Sequence, residues 1–341
     1  MKIKSKAPLR IGLAGGGTDV SPYSEDHGGA ILNATISLYA HCVIENLSEK
    51  KIIINAVDIN KSAEFKSSTK LFPINGELDL IKQILNHFIN KGYIKEFTPF
   101  KITTFCDAPP GTGLGSSSTL VVSVIKAISE WKNIPLGEYD IAQMAYKIER
   151  EELKFSGGKQ DQYAATFGGF NFMEFSENNR VIVNPLRLKQ WVIDELESSI
   201  LLFNIGTSRL SSKIIDDQTS LMKKEIDVIK NLHIIKNAAF SMKNSILTGN
   251  LKEISKIVEK SWNSKKSLSK YITNKNIEKI YNIALQNGAY SGKISGAGGG
   301  GIIMFIVDIR KRLNLIKIMN ELGCKHINFV FTNSGCKSWK I

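Results

Sequence analysis

The sequence has little cysteine, no long apolar run and no concentrated block of positive charge, and each shortage removes a class of protein. Its 341 residues include four cysteines, Cys42, Cys106, Cys324 and Cys336, far apart and without a CxxC pair. Disulfide scaffolds and zinc ribbons need paired spacing, so these thiols are expected to be free and mostly buried. A bilayer span needs about 20 consecutive apolar residues, whereas the longest runs here are as short as Gly301 to Val307 and Ile200 to Phe203. No membrane partner is expected. The opening MKIKSKAPLRIGLAGGGTD is basic, but glycines interrupt it where a secretory core would sit, which makes a cytoplasmic protein the expectation. Lys and Arg outnumber Asp and Glu by 45 to 32, a net charge of +13. The lysines are scattered, and no aromatic-basic RNA-reading motif accompanies them, so no nucleic-acid partner is expected. An acidic small substrate and a generically basic, solvated surface both remain open.

What is present is an ordinary globular composition, 43% hydrophobic and 23% charged, and a length that suggests two domains at about 150 residues each. Ile3 to Leu13 reads as a strand entering the turn Ala14 to Asp19. Ala30 to Glu45 and Lys51 to Val57 read as paired strands, Leu78 to Asn90 as a helix and Pro99 to Phe105 as another strand. PPGTGLGSSS, Pro109 to Ser118, then opens an apolar helical segment, Thr119 to Trp131. A second helix covers Glu138 to Leu153, and a glycine turn, SGGKQDQY, leads to a hairpin of Phe170 to Phe175 with Arg180 to Pro185. The domain boundary is placed there, giving units 1–185 and 186–341. The second unit begins with a strand, Ser199 to Ile205, followed by three helical segments across residues 212 to 287. KISGAGGGG then meets a strand at Ile302 to Val307, with a helix at Ile309 to Leu322 and a last strand at Ile327 to Thr332.

Three glycine-rich loops beside β-leaning segments suggest one phosphate-rich cleft assembled from distant parts of the chain, because glycine costs backbone entropy where it is not required. A helix N-terminus offers unpaired N–H groups and partial positive charge to an anion, and the serines of PPGTGLGSSS are placed to cap the helix start with their hydroxyls. No lysine follows Gly115, so this is not a P-loop of the Walker type. No third glycine in phase supports a dinucleotide fingerprint, and protein-kinase HRD and DFG motifs are missing.

Together APLRIGLAGGGTD, PPGTGLGSSS, GGKQDQYAATFGG and KISGAGGGG resemble the GHMP small-molecule kinase family, in the family's order and across Ala7 to Gly301. The fully glycine first motif and the run SPYSEDHGG place the resemblance in its sugar-phosphate branch. The resemblance implies an α+β, two-domain architecture. The N-terminal domain would be ribosomal S5 domain 2-like and the C-terminal one ferredoxin-like, with ATP between them. It implies transfer of the γ-phosphoryl group of ATP to the anomeric hydroxyl of D-glycero-D-manno-heptose 7-phosphate, with Mg²⁺ as cofactor. An L-fucose or galactose kinase, or a non-catalytic sugar and nucleotide sensor, are the rival readings, and a homodimer is allowed.

Residue by residue, the resemblance implies that Gly111, Thr112, Gly113, Leu114, Gly115, Ser116, Ser117 and Ser118 cradle the ATP phosphates. Ser117 and Glu149 would ligate Mg²⁺. Asp161 would accept the proton of the attacking hydroxyl, and Arg10 would neutralise the γ-phosphate or pair with Asp161. Gly17, Thr18 and Asp19 would face the sugar, with Ser295, Gly296 and Gly298 nearby. A substrate phosphate needs cations, for which Lys159, Arg209 and Lys213 are candidates.

Overall fold

The computed structural model describes residues 1–178, 180–206 and 211–341. The first part of the chain forms strands β1 (Lys2–Ala14), β2 (Gly29–Asn46), β3 (Lys51–Ala56), β4 (Lys61–Lys66), β5 (Phe100–Cys106), β6 (Phe170–Phe175) and β7 (Val181–Pro185). Helices α1 (Tyr23–His27), α2 (Asp79–Asn90), α3 (Ser116–Lys132), α4 (Glu138–Tyr146) and α5 (Gln160–Phe167) lie between them. The later part contributes α6 (Gln190–Ser199), β8 (Ile200–Asn204), α7 (Ser211–Met222), α8 (Ile226–Thr248), α9 (Leu251–Lys266) and α10 (Lys275–Gln286). It ends with β9 (Ala289–Ile294), β10 (Ile302–Val307), α11 (Arg312–Glu321), β11 (Lys325–Ile327) and β12 (Lys337–Lys340).

Two sheets organise these elements. The larger runs β12-β1-β2-β5-β3-β4, with β6 joined to β2 and β7 to β6. The smaller runs β11-β8-β10-β9. The architecture is therefore α+β with strands and helices largely segregated in layers. Strand β2 is long enough to fork. Gly29 to Ala34 pair with β6, and Ala40 to Asn46 pair with β5.

Three sequence expectations need correction, and one strand has no counterpart among them. The segments at Ala30 to Glu45 and Lys51 to Val57 are strands but do not pair, because β5 inserts between them, antiparallel to β2 and parallel to β3. The region 212–287 holds four helices rather than three. Ile327 to Thr332 is mostly extended chain with a single bridge from Phe331 to Ile36. The closing strand β12, unforeseen, returns from the 186–341 unit to pair with β1 at Ile3 to Lys6.

Burial follows the two side-chain periods. On one face of the large sheet Ile3, Ile44, Ile52, Ile54 and Ile102 pack on Ile84, Phe88, Val121 and Ile125 of α2 and α3. On the other face Leu9, Ile11, Leu13 and Leu32 meet Ala239, Met242 and Ile246 of α8 and Val258 of α9. The run IIMFIV of β10 is apolar throughout because it faces two cores. Ile302, Met304 and Ile306 join that second cluster, whereas Ile303, Phe305 and Val307 join a third with α10 and α11. A strand covered on both faces needs no alternation.

Candidate functional site

The glycine loops converge on one seam. Gly113 has φ +80°, and a Cβ added there would lie 2.3 Å from the Ser295 carbonyl oxygen. Gly296, at φ +73°, would place a Cβ 2.6 Å from Gly113 Cα. The Ile302 N–H donates to the Thr112 carbonyl (2.9 Å) and the Arg10 N–H to the Leu114 carbonyl (3.2 Å). The Ser295 hydroxyl donates to the Gly113 carbonyl (2.9 Å). Residues from β1, the loop before α3 and the loop before β10 are thereby fixed around a cleft of about 550 Å³.

Gly111, Gly113, Gly115, Ser116, Ser117 and Ser118 line this cleft. Thr112 and Leu114 do not. Thr112 turns its hydroxyl to the Pro109 carbonyl (3.0 Å), and Leu114 is wholly buried. The serines do not cap α3 as expected, since its N-cap is Gly115 at φ 80° and no side-chain cap bond is made there among the described residues. The first-turn N–H groups are thus left to an anion.

At the mouth of this loop Arg10, 3% exposed, donates from Nε to Asp161 Oδ1 (2.7 Å), from Nη1 to the Gly113 carbonyl (2.7 Å), and pairs through Nη2 with the same Oδ1 (2.6 Å). Asp161 enters from the first turn of α5, and its carboxylate sits against Gly115, where a Cβ would come within 3.1 Å of Cγ.

Chain 147–152 after α4 is a π-helical turn, a local widening often found at functional sites. It carries Glu149, whose side chain is fully buried. Its Oε1 accepts from the Ser117 hydroxyl (3.0 Å) and its Oε2 from Gln162 Nε2 (2.6 Å). Among the described residues, the cation paired with it is Arg150, 4.0 Å away. A buried carboxylate with only neutral donors in contact and a hydroxyl beside it on the cleft wall is an oxygen donor set suited to a hard divalent cation. The residues fit Mg²⁺.

A further part of the wall comes from the turn after β1. Asp19, 2% exposed, accepts through Oδ2 from the Lys159 N–H (2.9 Å) and the Gln160 N–H (3.0 Å), while Oδ1 is buried with no partner among the described residues. Burial raises its pKa, against the pull of the Gln160 N–H bond. Gly158 makes this approach feasible, since a Cβ there would lie 1.9 Å from Oδ2. Gly17 and Gly296 line the cleft. Thr18 does not, because its hydroxyl latches the turn to the Gly15 and Ala30 carbonyls (2.9 and 3.0 Å). Gly298 packs on Ile272.

The expected cations for a substrate phosphate are redistributed. Lys159 does not reach the cleft, because its buried ammonium pairs with Glu25 (2.8 Å). Lys213 is exposed beside Tyr271. Arg209 lies outside the described residues. Arg150, Lys154 and Lys265 line the cleft instead, together with Gln218. Lys265 and Gln218 carry a signal of their own in the sequence. Gln218 stands between Ile214 and Met222 on the buried stripe of α7, and Lys265 continues the stripe of Ile254, Val258 and Ser261 on α9. A polar residue at a core position of an amphipathic helix has to be explained. Gln218 Nε2 is buried without a partner among the described residues, close to Gly17.

Two family models match the chain: the GHMP kinases N terminal domain over residues 79–169 and the GHMP kinases C terminal domain over residues 242–325. The D-glycero-alpha-D-manno-heptose 7-phosphate kinase of Campylobacter jejuni is 47% identical over 339 residues, 99% of each chain. The crystal structure of a D-glycero-D-manno-heptose 1-phosphate kinase from Bacteroides thetaiotaomicron is similar with a TM-score of 0.85 and 42% identity, covering 99% of both chains. The mevalonate kinase of Methanococcus jannaschii shares the fold, with a TM-score of 0.78 at 22% identity over 98% of each chain.

Proposed function

Since the chain belongs to the GHMP kinase family, we propose from that premise that it transfers the γ-phosphoryl group of ATP to the anomeric hydroxyl of D-glycero-α-D-manno-heptose 7-phosphate. The product is the 1,7-bisphosphate, which feeds nucleotide-activated heptose. The observation that carries this reading is the Arg10–Asp161 pair set against Gly115 at the start of an uncapped helix. It puts a carboxylate, a guanidinium and open N–H groups at one point. The relatives named for heptose phosphates support the choice of acceptor.

Phosphoryl transfer requires positioning and charge neutralisation more than covalent help. The N–H groups of residues 113 to 118 hold the β- and γ-phosphates. Asp19 Oδ1 accepts from a sugar hydroxyl and Gln218 Nε2 donates to a sugar oxygen, which satisfies two polar atoms that are otherwise buried unpaired. Asp161 stands where the attacking hydroxyl meets the γ-phosphorus. As the anomeric oxygen bonds to phosphorus, the bond from phosphorus to the β–γ bridging oxygen breaks. The hydroxyl proton passes to the Asp161 carboxylate, and ADP departs. Arg10 fixes Asp161 through Oδ1 and brings positive charge to the transferring group. Ser117 and Glu149 would hold Mg²⁺, which when bound would supply neutralisation of phosphate charge. Arg150 and Lys154, on the cleft wall, give the 7-phosphate its cationic surroundings, and ATP as donor fits the cytoplasmic setting expected from the sequence.

Coupled ADP release with heptose 7-phosphate, heptose 1-phosphate, unphosphorylated heptose, L-fucose, galactose and mevalonate tests the proposal. Heptose 7-phosphate is expected to give the highest kcat/KM. Turnover with mevalonate alone would sink it, and preference for the 1-phosphate would reassign the hydroxyl.

A further inference from the structure

Three lysines near or within the helices of this fold are buried, and their partners differ. Lys82 on α2 is held by the Pro73 carbonyl, Asn75 Oδ1 and Asp79 (3.0, 2.5 and 3.5 Å). Lys159 is neutralised by Glu25 (2.8 Å). Lys265, 5% exposed at the end of α9, donates only to the Gly296 carbonyl (2.5 Å) among the described residues. An ammonium has three donors, so two remain for something else. A buried cation without a carboxylate is costly unless an anion arrives.

The position of Lys265 says which anion. Gly296 packs directly on Gly113 of the phosphate loop, and Lys265 Nζ lies 3.7 Å from where a Cβ on Gly16 would be. Lys265 therefore stands between the first glycine motif and the phosphate loop and lines the same cleft as Arg10 and Asp161. The charged groups facing it are Arg10 and Lys293 on the cationic side and Asp161 and Asp19 on the anionic side. Asp161 is already paired with Arg10 at 2.6 Å. Arg10 is thereby committed to Asp161, and Lys265 is left without a carboxylate partner among the described residues.

We propose that Lys265 is a further catalytic residue, whose ammonium donates to a non-bridging oxygen of the γ-phosphoryl group as it passes from ADP to the sugar oxygen. The inference rests on the kinase reading above. Lysine keeps its proton throughout; the bond made is from the acceptor oxygen to phosphorus and the bond broken is from phosphorus to the β–γ bridging oxygen. Negative charge spreads over the equatorial oxygens during transfer, and a preset donor in a water-poor site acts on that charge more than on the bound substrates.

Lys265→Met keeps the α9 stripe apolar and is expected to fold. With heptose 7-phosphate, kcat should fall on the order of 100-fold, the scale for losing one preset donor, while KM for ATP and for the sugar phosphate stays within about 3-fold, the split that marks a contact made only in the transition state. Trapping of ADP, Mg²⁺ and aluminium fluoride with heptose 7-phosphate should be lost in the variant, with ADP binding kept. Should Lys265→Met prove unstable by thermal melting, Lys265→Gln carries the same comparison. A KM for heptose 7-phosphate raised tenfold or more with kcat unchanged would assign Lys265 to the substrate's own phosphate and overturn the proposal, as would retained kcat and trapping. An inactive wild type would instead refute the kinase reading.

Discussion

Replacing Lys293 with methionine should stabilise the free protein, and by an amount that shrinks as pH rises. Lys293 lies on β9, 4% exposed. Burial first, then repulsion from Lys265 and Arg10, lowers its pKa from 10.5 to about 7. The folded chain therefore holds this proton less tightly than the unfolded chain. Between about pH 7 and 10.5 the unfolded state binds more protons, so stability rises with pH in that window. The gap corresponds to roughly 5 kcal/mol of penalty at pH well below 7, at about 1.4 kcal/mol per tenfold change in proton affinity. Integrating the two titrations leaves about 4 kcal/mol at pH 7 and about 2 kcal/mol at pH 9. Lys293→Met removes the charge at similar length. Urea unfolding of ligand-free wild type and variant at pH 7, 8 and 9, extrapolated linearly, gives a double difference in which groups unaffected by the substitution cancel. The stability advantage of the variant should narrow by roughly 2 kcal/mol from pH 7 to pH 9. Two parallel stability curves across that range would refute the reasoning, because they would mean that the Lys293 amine titrates as it does in the unfolded chain.

The other predictions concern the cleft directly. Asp161→Asn should lower kcat on the order of 10³-fold, within the range for a lost general base, with ADP binding intact by calorimetry; activity near wild type would remove Asp161 from the proton-accepting role. Glu149→Gln leaves its hydrogen-bonding neighbours but removes the charge, and should raise the Mg²⁺ concentration needed for half-maximal turnover about tenfold or more. An unchanged Mg²⁺ titration would exclude Glu149 as a ligand. Gly158→Ala places a methyl 1.9 Å from Asp19 Oδ2, so it should raise KM for the sugar phosphate several-fold with a smaller effect on KM for ATP. Equal effects on both would argue that Asp19 does not read the sugar.

Local chemistry made much of this legible. The three glycine loops announced a seam because several of their glycines have backbone angles or contacts that exclude a side chain, and the apolar helix behind Ser118 fixed where a phosphate would dock. What the sequence hid was long-range. Nothing near Lys159 indicates that Glu25, 134 residues away, takes its charge. The insertion of β5 between β2 and β3 depends on pairings between segments about 50 residues apart, and local β-propensity is the same whichever neighbour a strand finds. The return of β12 to β1 spans nearly the entire chain. Lys265 and Gln218 were readable as polar residues on buried helical stripes, but that pattern also describes Lys82, which is satisfied by its own loop. Only the partners in space separate the two cases.

The seam of Gly113, Gly296 and Gly301 also constrains how this site can be altered by mutation. A Cβ at Gly301 would meet the Thr112 carbonyl oxygen at 2.6 Å, and the other two positions are equally closed. Backbone packed against backbone offers no side chain to exchange, so the phosphate-holding side of the cleft has almost no accessible neighbours in sequence space. The wall that bears Asp19, Arg150, Lys154 and Gln218 has many. A shift from one acceptor to another would therefore arise by changing that wall while the nucleotide side stays fixed, and libraries aimed at new acceptors would best be confined to those four positions.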